Sequence, residues 1–181
     1  LLRIASLPHR RSAFAAAAAL VRIDPETGFE QMRQLLAPLH WSPEAVAATV
    51  RSGGRRGARM LADLLAKQPK GRGKQVVRLA ELVDDPRSVP ALRERLLGNR
   101  DPEEIAAILH ALGKLGGAED RAAAIALLAH RSWLVRMQAA VALGALGMPL
   151  DAARIVPLLR DPHWWVRYRA AQAVLRLGGA E

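Results

Sequence analysis

The sequence contains no cysteine and few aromatic residues. Among its 181 residues, aromatic side chains account for only 4%. The absence of cysteine excludes disulfide bonds, thiolate catalysis and cysteine-ligated metal sites, and it is typical of a cytoplasmic protein. Alanine, leucine and arginine dominate instead, a mixture that favours helices over sheets. The composition therefore predicts an all-α protein.

The sequence also has no long apolar run. Its longest candidate, FAAAAALV at residues 14–21, is far shorter than the roughly 20 residues that a membrane-spanning helix needs. Apolar residues still make up 51% of the chain, which is enough to bury a continuous core. These features predict a soluble chain that has no transmembrane segment within these residues.

Acidic residues are in deficit. The chain has 27 lysines and arginines against 17 aspartates and glutamates, which gives a formal net charge of +10. Such a charge favours acidic partners: nucleic acid, an anionic membrane surface or an acidic protein surface.

The first residues, LLRIASLPHRR, run from an apolar beginning into three basic side chains, His9, Arg10 and Arg11. This pattern is typical of the cytoplasmic flank of an upstream membrane helix, so it predicts a tether to a membrane. The same residues also fit the frayed start of an ordinary helix.

The C-terminal half repeats with a period of 31 residues. The stretches LGNRDPEEIAAILHALGKLG, LAHRSWLVRMQAAVALGALG and LRDPHWWVRYRAAQAVLRLG begin at residues 97, 128 and 159. In this register Trp133 corresponds to Trp164, and Arg136 to Arg167. Apolar residues within each unit follow the helical period, and a shorter helix precedes each long one. Each unit is therefore predicted to be a helical hairpin that buries its apolar faces against its neighbours.

Local signals place the ends of these helices. Asp120 and Asp151 stand at equivalent positions near the start of the short helices, where a carboxylate satisfies exposed N–H groups. Gly147 and Gly178 are predicted to end the long helices in the left-handed conformation. Upstream, helices are predicted within residues 28–40, 42–52, 58–68, 73–85 and 87–97.

The last two units resemble HEAT-like repeats of the short bacterial type, which also occur in phycobilisome-lyase-like proteins. The resemblance rests on the pattern D-x5-VR-x2-AA-x2-AL-x2-LG, in which Asp161 and Arg167 occupy the Asp and Arg positions. It implies an α-solenoid of antiparallel helical hairpins, in which this Asp and Arg form a ladder between neighbours. His130 and Asn99 replace the aspartate in the two preceding units, so the ladder is not continuous.

The repeat pattern divides the chain into two parts. Residues 1–70 are predicted to form an irregular N-terminal helical segment, and residues 71–181 about 3.5 HEAT-like units. By the resemblance, the shorter helices are expected to line the inner surface of the stack.

Chemical motifs are missing from the sequence. No pair of histidines has the helical spacing of a metal site, and no glycine-rich loop has the phosphate-binding pattern. The sequence therefore predicts no catalytic residue, no metal ligand and no cofactor, and the protein is predicted not to be an enzyme.

Two sets of residues are assigned roles. Trp133 and Trp164 are predicted to be mostly buried between hairpins, in equivalent environments. With them, three charged residues are assigned to the structural repeat: Arg136, Asp161 and Arg167. The residues predicted to bind a partner are Arg93, Arg95, Arg121, Arg154 and Arg160, which lie on the shorter helices, and Trp165 and Tyr168, which lie at an edge.

The function that these features favour is a non-enzymatic scaffold for a protein partner with an acidic surface. It is expected in the bacterial cytoplasm, with a location on the cytoplasmic face of a membrane if the tether exists. One alternative is a nucleic-acid-binding protein akin to the HEAT-like alkylpurine DNA glycosylases, which the charge and the Trp/Arg cluster favour. A second alternative is a bilin lyase or chaperone, which the family resemblance alone supports.

Overall fold

Helices account for all the regular structure that is described. A computed structural model describes residues 10–36, 42–68 and 73–179, and no β-strand occurs within these ranges, which confirms the predicted all-α fold. Short 3₁₀ turns precede three of the helices, and a longer one, Val156–Arg160, extends the tenth. The α-helices are α1 (Arg10–Ile23), α2 (Pro25–Leu36), α3 (Pro43–Ser52), α4 (Arg55–Lys67), α5 (Lys74–Val83), α6 (Val89–Leu96), α7 (Pro102–Leu115), α8 (Arg121–Leu127), α9 (Trp133–Leu146), α10 (Ala152–Ile155) and α11 (Trp164–Gly178).

Several helical segments begin at a proline that follows a capping aspartate. Asp101 accepts a hydrogen bond from the backbone N–H of Glu103 (3.1 Å), and Asp85 accepts one from the N–H of Arg87 (3.0 Å). Proline lacks the N–H that the first helical position would leave unsatisfied, and the aspartate satisfies a later one. α3 also begins at a proline, Pro43, within the range 42–52 that the sequence predicts to be helical.

The helices form hairpins that stack in two rows. The helices α3, α5, α7, α9 and α11 pack one against the next in chain order, while α6, α8 and α10 contact one another little. Gly113 faces Ala142 across the α7–α9 contact, and Gly144 faces Ala173 across the α9–α11 contact. The long helices are therefore the more closely packed of the two rows. That the shorter helices line the inner surface of the stack stays a prediction.

Two hydrophobic cores meet at α7. The first runs from α1 to α7 and ends with Ile108, Ala111 and Leu112, and the second runs from α7 to α11 and begins with Ile105 and Leu109. Since α7 contributes to both, packing is continuous along the chain. The boundary predicted at residue 70 falls within residues 69–72, outside the described residues, and the division stays a prediction.

The predicted left-handed ends of the long helices are wrong. Gly147 follows α9 with extended backbone at a φ of −80°, and Gly178 lies within α11. Glycine is required at 147 by space, because an added Cβ would lie 3.0 Å from the Asp151 carboxylate and would also meet the Leu143 carbonyl oxygen.

Candidate partner-binding surface

Arginine–aspartate ion pairs join successive short helices. Arg93 donates from Nε to Asp120 Oδ1 (2.6 Å), and Arg121 donates to both carboxylate oxygens of Asp151, from Nη2 to Oδ1 at 2.7 Å. Each aspartate also accepts a hydrogen bond from the backbone N–H three residues earlier, at 3.0 and 2.9 Å. Two arginines predicted to bind a partner therefore hold neighbouring hairpins together.

These contacts lower the pKa of both aspartates. Hydrogen bonds from Arg121 hold the pKa of Asp151 below its usual range. Burial raises the pKa of Asp120, but hydrogen bonds from Arg93 and the backbone outweigh it, so that pKa also lies below its usual range. Both carboxylates are therefore stabilised in their ionised form in the folded chain.

Arg95 is buried, so the prediction that it contacts a partner is wrong. Its side chain pairs with buried Glu104 and donates to the backbone oxygens of Leu65 and Gln68, the latter at 2.9 Å. The physical reason is helical phase: Arg95 lies three residues after buried Leu92, on the inward side of α6. Arg95 thus ties α4 to α7.

Arg154 and Arg160 lie at the surface, where they were predicted. Arg154 approaches its own capping aspartate, with Nε 3.6 Å from Asp151 Oδ1, and its side chain stays largely exposed. Arg160 is exposed at the end of the 3₁₀ turn that follows α10. Their role in partner binding stays a prediction.

A further ion pair joins the long helices. Arg136 on α9 donates from Nε to Asp161 Oδ2 (2.7 Å) and from Nη2 to Asp161 Oδ1 (2.9 Å). Its Nη1 donates to the carbonyl oxygens of His130 and Arg131, at 2.9 and 3.1 Å, in the turn before α9. Hydrogen bonds from Arg136 lower the pKa of Asp161. The aspartate therefore lies in a ladder between hairpins, but its arginine comes from the preceding unit.

Arg167 repeats half of this arrangement. Its Nη1 donates to the carbonyl oxygens of Asp161 and Pro162, again at 2.9 and 3.1 Å. No carboxylate in the described part of the chain pairs with Arg167, whereas Arg136 reaches across to the next hairpin. Arg167 therefore repeats the turn contacts of Arg136. It lacks the arginine–aspartate ion pair that forms a rung of the ladder.

Trp164 is not mostly buried, and its environment differs from that of Trp133, so the prediction of two equivalent buried tryptophans is wrong. Trp133 is 38% exposed and Trp164 is 52% exposed, because each is the first residue of its helix and lies across the turn. Their environments also differ. Trp133 stacks on His163 of the next hairpin with ring centroids 3.8 Å apart, whereas Trp164 stacks on its neighbour Trp165 at 3.9 Å.

The aromatic residues of α11 form an exposed cluster. Tyr168 lies about one helical turn after Trp164 and Trp165, and its ring centroid is 6.2 and 6.1 Å from theirs. The guanidinium of Arg169 lies 5.8 Å from the Tyr168 ring. All three rings remain accessible at the surface. The structure thus brings together Trp165 and Tyr168, which the sequence assigned to a partner, with Trp164, which it assigned to the scaffold.

Some exposed apolar residues of the last hairpin correspond to covered residues one repeat earlier. Leu159 is 38% exposed, but Leu128, 31 positions earlier, is 8% exposed and belongs to the second core. Tyr168 corresponds to Met137, which packs against that core. The structure therefore has an apolar surface that we call the end face. It consists of Val156, Leu159, Trp164, Trp165, Tyr168 and Leu175.

Sequence reasoning missed half of the end face: Val156, Leu159 and Leu175. A signal for Leu175 was present in the repeat alignment. It stands where the two preceding units have Gly113 and Gly144, and it is 74% exposed. A large apolar residue at a position where the repeat otherwise has glycine indicates a change in what that position contacts.

The described residues contain neither a cluster of metal ligands nor a membrane-spanning helix. No group of three or more histidines, cysteines, aspartates or glutamates that could hold a metal ion is found among the described residues. No helix in the described ranges has the length and apolar character to cross a membrane. The stretch that predicted a tether begins at residues 1–9, which lie outside the described residues.

Comparison with protein families gives one match. Residues 89–176, from the start of α6 almost to the end of α11, match the family model described as HEAT repeats. The search of curated proteins returned no match. Arrays of this kind commonly use extended surfaces to bind other proteins.

Proposed function

We propose that this chain, whose residues 89–176 match the family model of HEAT repeats, is a non-enzymatic scaffold that binds a protein partner through the end face. One observation carries the proposal: Leu159 and Tyr168 of the end face are exposed, whereas their counterparts one repeat earlier, Leu128 and Met137, pack in the second core. A cluster of accessible aromatic residues beside arginines has the composition of a protein-binding hot spot.

The stacking of the aromatic residues favours a protein partner over a nucleic acid. Aromatic residues that bind single strands offer their ring faces to the bases. Here Trp164 and Trp165 stack on each other at 3.9 Å, which covers one face of each ring. The rings at these positions also correspond to Trp133 and Leu134, which lie in the middle of the array.

The charge of the last hairpin supports an acidic partner. Its two aspartates, Asp151 and Asp161, are both buried and paired with arginines. The arginines of this hairpin lie largely at the surface: Arg154, Arg160, Arg167, Arg169 and Arg176. A basic rim around apolar residues complements an acidic rim on the partner. The cytoplasm is the compartment we propose, in keeping with the absence of cysteine.

Immobilised variants of the chain test this function. Wild type and Trp165→Ala are used to retain proteins from a native extract, with Ile23→Ala as the matched control. Ile23 is an exposed apolar residue of α1, away from the end face. We expect a protein that wild type and Ile23→Ala retain and Trp165→Ala does not. Identical retained proteins on all three variants would contradict the proposal.

Nucleic acid is the other outcome that this experiment can detect. Nuclease treatment of the extract should leave the retained protein unchanged. Retardation of duplex DNA at about 50 mM salt, with affinity that falls steeply as salt rises, would instead identify a phosphate-binding protein.

A further inference from the structure

A groove runs along α9 on the surface of the row of long helices. Its larger part, with a volume of about 390 Å³, is lined by α7, α9 and Arg176 of α11. Its smaller part, with a volume of about 140 Å³, is lined by α9 and α11. Val141 and Arg176 line both parts, so the two are continuous. We call this feature the α9 groove.

The repeat register explains why α9 forms the floor of this groove. At one position of the repeat the three long helices carry Lys114, Ala145 and Arg176, so a methyl group lies between two long cationic side chains. About one turn earlier, Val141 of α9 stands between larger polar residues of its neighbours. Residues four positions apart lie on the same face of a helix. Small side chains on this face of α9 therefore leave space between the side chains of α7 and α11.

The flanks of the α9 groove are basic. Lys114 of α7 and two arginines of α11, Arg169 and Arg176, line it, and no aspartate or glutamate of the described residues does. Lys114 Nζ lies 3.0 Å from Asp84 Oδ1, and both side chains remain exposed. Arg176 is exposed and makes no hydrogen bond or ion pair within the described ranges. The charge of the groove therefore favours carboxylates.

We propose that the α9 groove binds an acidic segment of a protein partner, whose carboxylates pair with Arg176 on one side of α9 and with Lys114 on the other. An arginine can pair with both oxygens of a carboxylate, which gives a strong and directional contact. The α9 groove contains none of the residues of the end face, so this is a second binding site and goes beyond the function proposed above.

Neighbouring long helices do not cover the α9 groove. Val141 and Ala145 remain partly exposed although α7 and α11 pack on both sides of α9. The contact with α11 is made on another side of the helix, where Gly144 faces Ala173. The floor of the groove is therefore part of the exposed surface of the row, and it does not depend on what packs against α11.

His110 adds a hydrogen-bond donor on the α7 side. Its Nδ1 lies 3.1 Å from Gln138 Nε2, and both residues line the groove. When the Gln138 amide donates to Nδ1, the neutral ring carries its hydrogen on Nε2. Because His110 is exposed, this N–H is a further donor for a carboxylate or backbone carbonyl oxygen of the partner.

The dimensions and lining of the groove favour a polypeptide. From Gln138 to Ala145 the floor is about 10 Å long, which corresponds to two turns of a helix. Packed helices lie about 8–10 Å apart, so α7 and α11 leave room over α9 for one segment. No tryptophan, tyrosine or phenylalanine of the described residues lines the groove. It thus lacks the rings on which the bases of a single-stranded nucleic acid stack.

A labelled peptide of repeated Leu-Glu-Glu-Ala tests the charge of the site. Its binding to the full chain is measured by fluorescence anisotropy at physiological ionic strength, where long-range attraction to the net charge is screened. Lys114→Gln with Arg176→Gln should weaken binding at least tenfold. The control, Arg55→Gln with Arg59→Gln, removes the same charge from exposed positions of α4. It should change the affinity by less than about twofold.

Arg176→Gln alone keeps this test informative if the change at Lys114 lowers stability. Arg176 has no partner in the described part of the chain, so its replacement should leave circular dichroism unchanged and still weaken binding severalfold. An equal loss of affinity in the α4 control would show attraction to the net charge alone and would refute the site.

A second variant tests the shape of the groove without changing charge. Ala145→Leu places a larger side chain on the floor and should weaken peptide binding at least tenfold. Ala122→Leu makes the same change at an exposed position of α8, on the other row, and should bind the peptide like wild type. Unchanged binding by Ala145→Leu would place the peptide outside the groove.

Trp165→Ala separates this inference from the proposed function. This variant should bind the peptide like wild type, and loss of binding would place the peptide on the end face instead. No binding of the peptide by wild type would overturn the inference and leave the end-face proposal standing. Duplex DNA that displaces the peptide at physiological ionic strength would identify nucleic acid as the ligand and would also overturn it.

Discussion

At the scale of single residues, helical phase decides what each arginine does. Arg93 and Arg95 are two positions apart on α6, yet one lies at the surface in an ion pair between hairpins and the other is buried against Glu104. The sequence shows the charges and their spacing, but it does not show which carboxylate folds against them. Sequence reasoning therefore placed both residues on a binding surface.

Removing one charge of the buried Arg95–Glu104 pair should lower the stability of the folded chain strongly. Glu104→Gln keeps the side-chain volume but leaves the Arg95 guanidinium buried without its opposite charge. We expect the free energy of unfolding to fall by about 3–5 kcal/mol, measured by urea denaturation. Glu103→Gln, at the neighbouring exposed position, is the control. It should leave the midpoint of urea denaturation close to that of wild type. Similar midpoints for both variants would show that the buried pair contributes little.

At the scale of helices, the repeat pattern predicts which segments are helical better than it predicts where the helices end. The 31-residue register and the proline positions predicted α5 to α11 because apolar periodicity and capping are local. The burial of the tryptophans was not predictable in the same way. Trp133 and Trp164 share a register, but one has a following hairpin to stack on and the other has Trp165. The repeat register gives a residue's position within its own hairpin, whereas the burial of its side chain depends on what packs against it.

The close approach of α9 and α11 predicts an overpacking effect. Gly144→Ala places a Cβ 2.7 Å from the Ala173 Cβ and 3.0 Å from its Cα, so the helices must separate. We expect a loss of about 1–3 kcal/mol in the free energy of unfolding. Gly178→Ala is the control, since an added Cβ there meets nothing within 4 Å. If both variants were equally stable, the two helices would not be in close contact.

At the scale of the whole molecule, hairpins are held together by apolar packing along the long helices and by arginine–aspartate rungs. The resemblance to HEAT repeats predicted helical hairpins over residues 71–181, and the family model matches residues 89–176. It did not predict the end face, because a repeat pattern describes what units share. The end face appears where the last unit departs from that pattern, at Trp165, Tyr168 and Leu175.

The rungs predict sensitivity to acid. The pKa values of Asp120, Asp151 and Asp161 are lowered in the folded chain, so the unfolded chain binds protons at higher pH than the folded one. The stability from these pairs is present above the pKa of an unfolded aspartate, near 3.9, and is lost as pH falls through the folded values.

We therefore expect the melting temperature to fall progressively from about pH 5 downward. Asp151→Asn should melt lower at pH 7 and show a weaker dependence on pH than wild type. Asp63→Asn, which changes an exposed carboxylate on α4, is the control. A melting temperature of wild type that stayed constant down to pH 3 would argue against the rungs.

Leu159 on the end face is exposed, whereas Leu128, its counterpart in the preceding hairpin, is buried. The absence of cysteine allows a direct test of this difference. Single thiols are introduced by Leu128→Cys and by Leu159→Cys, and their rates of alkylation in the folded protein are compared. We expect rapid labelling at 159 and at least tenfold slower labelling at 128, because the side chain at 128 is buried in the second core. Equal rates at the two positions would show that residue 159 is covered as well as residue 128.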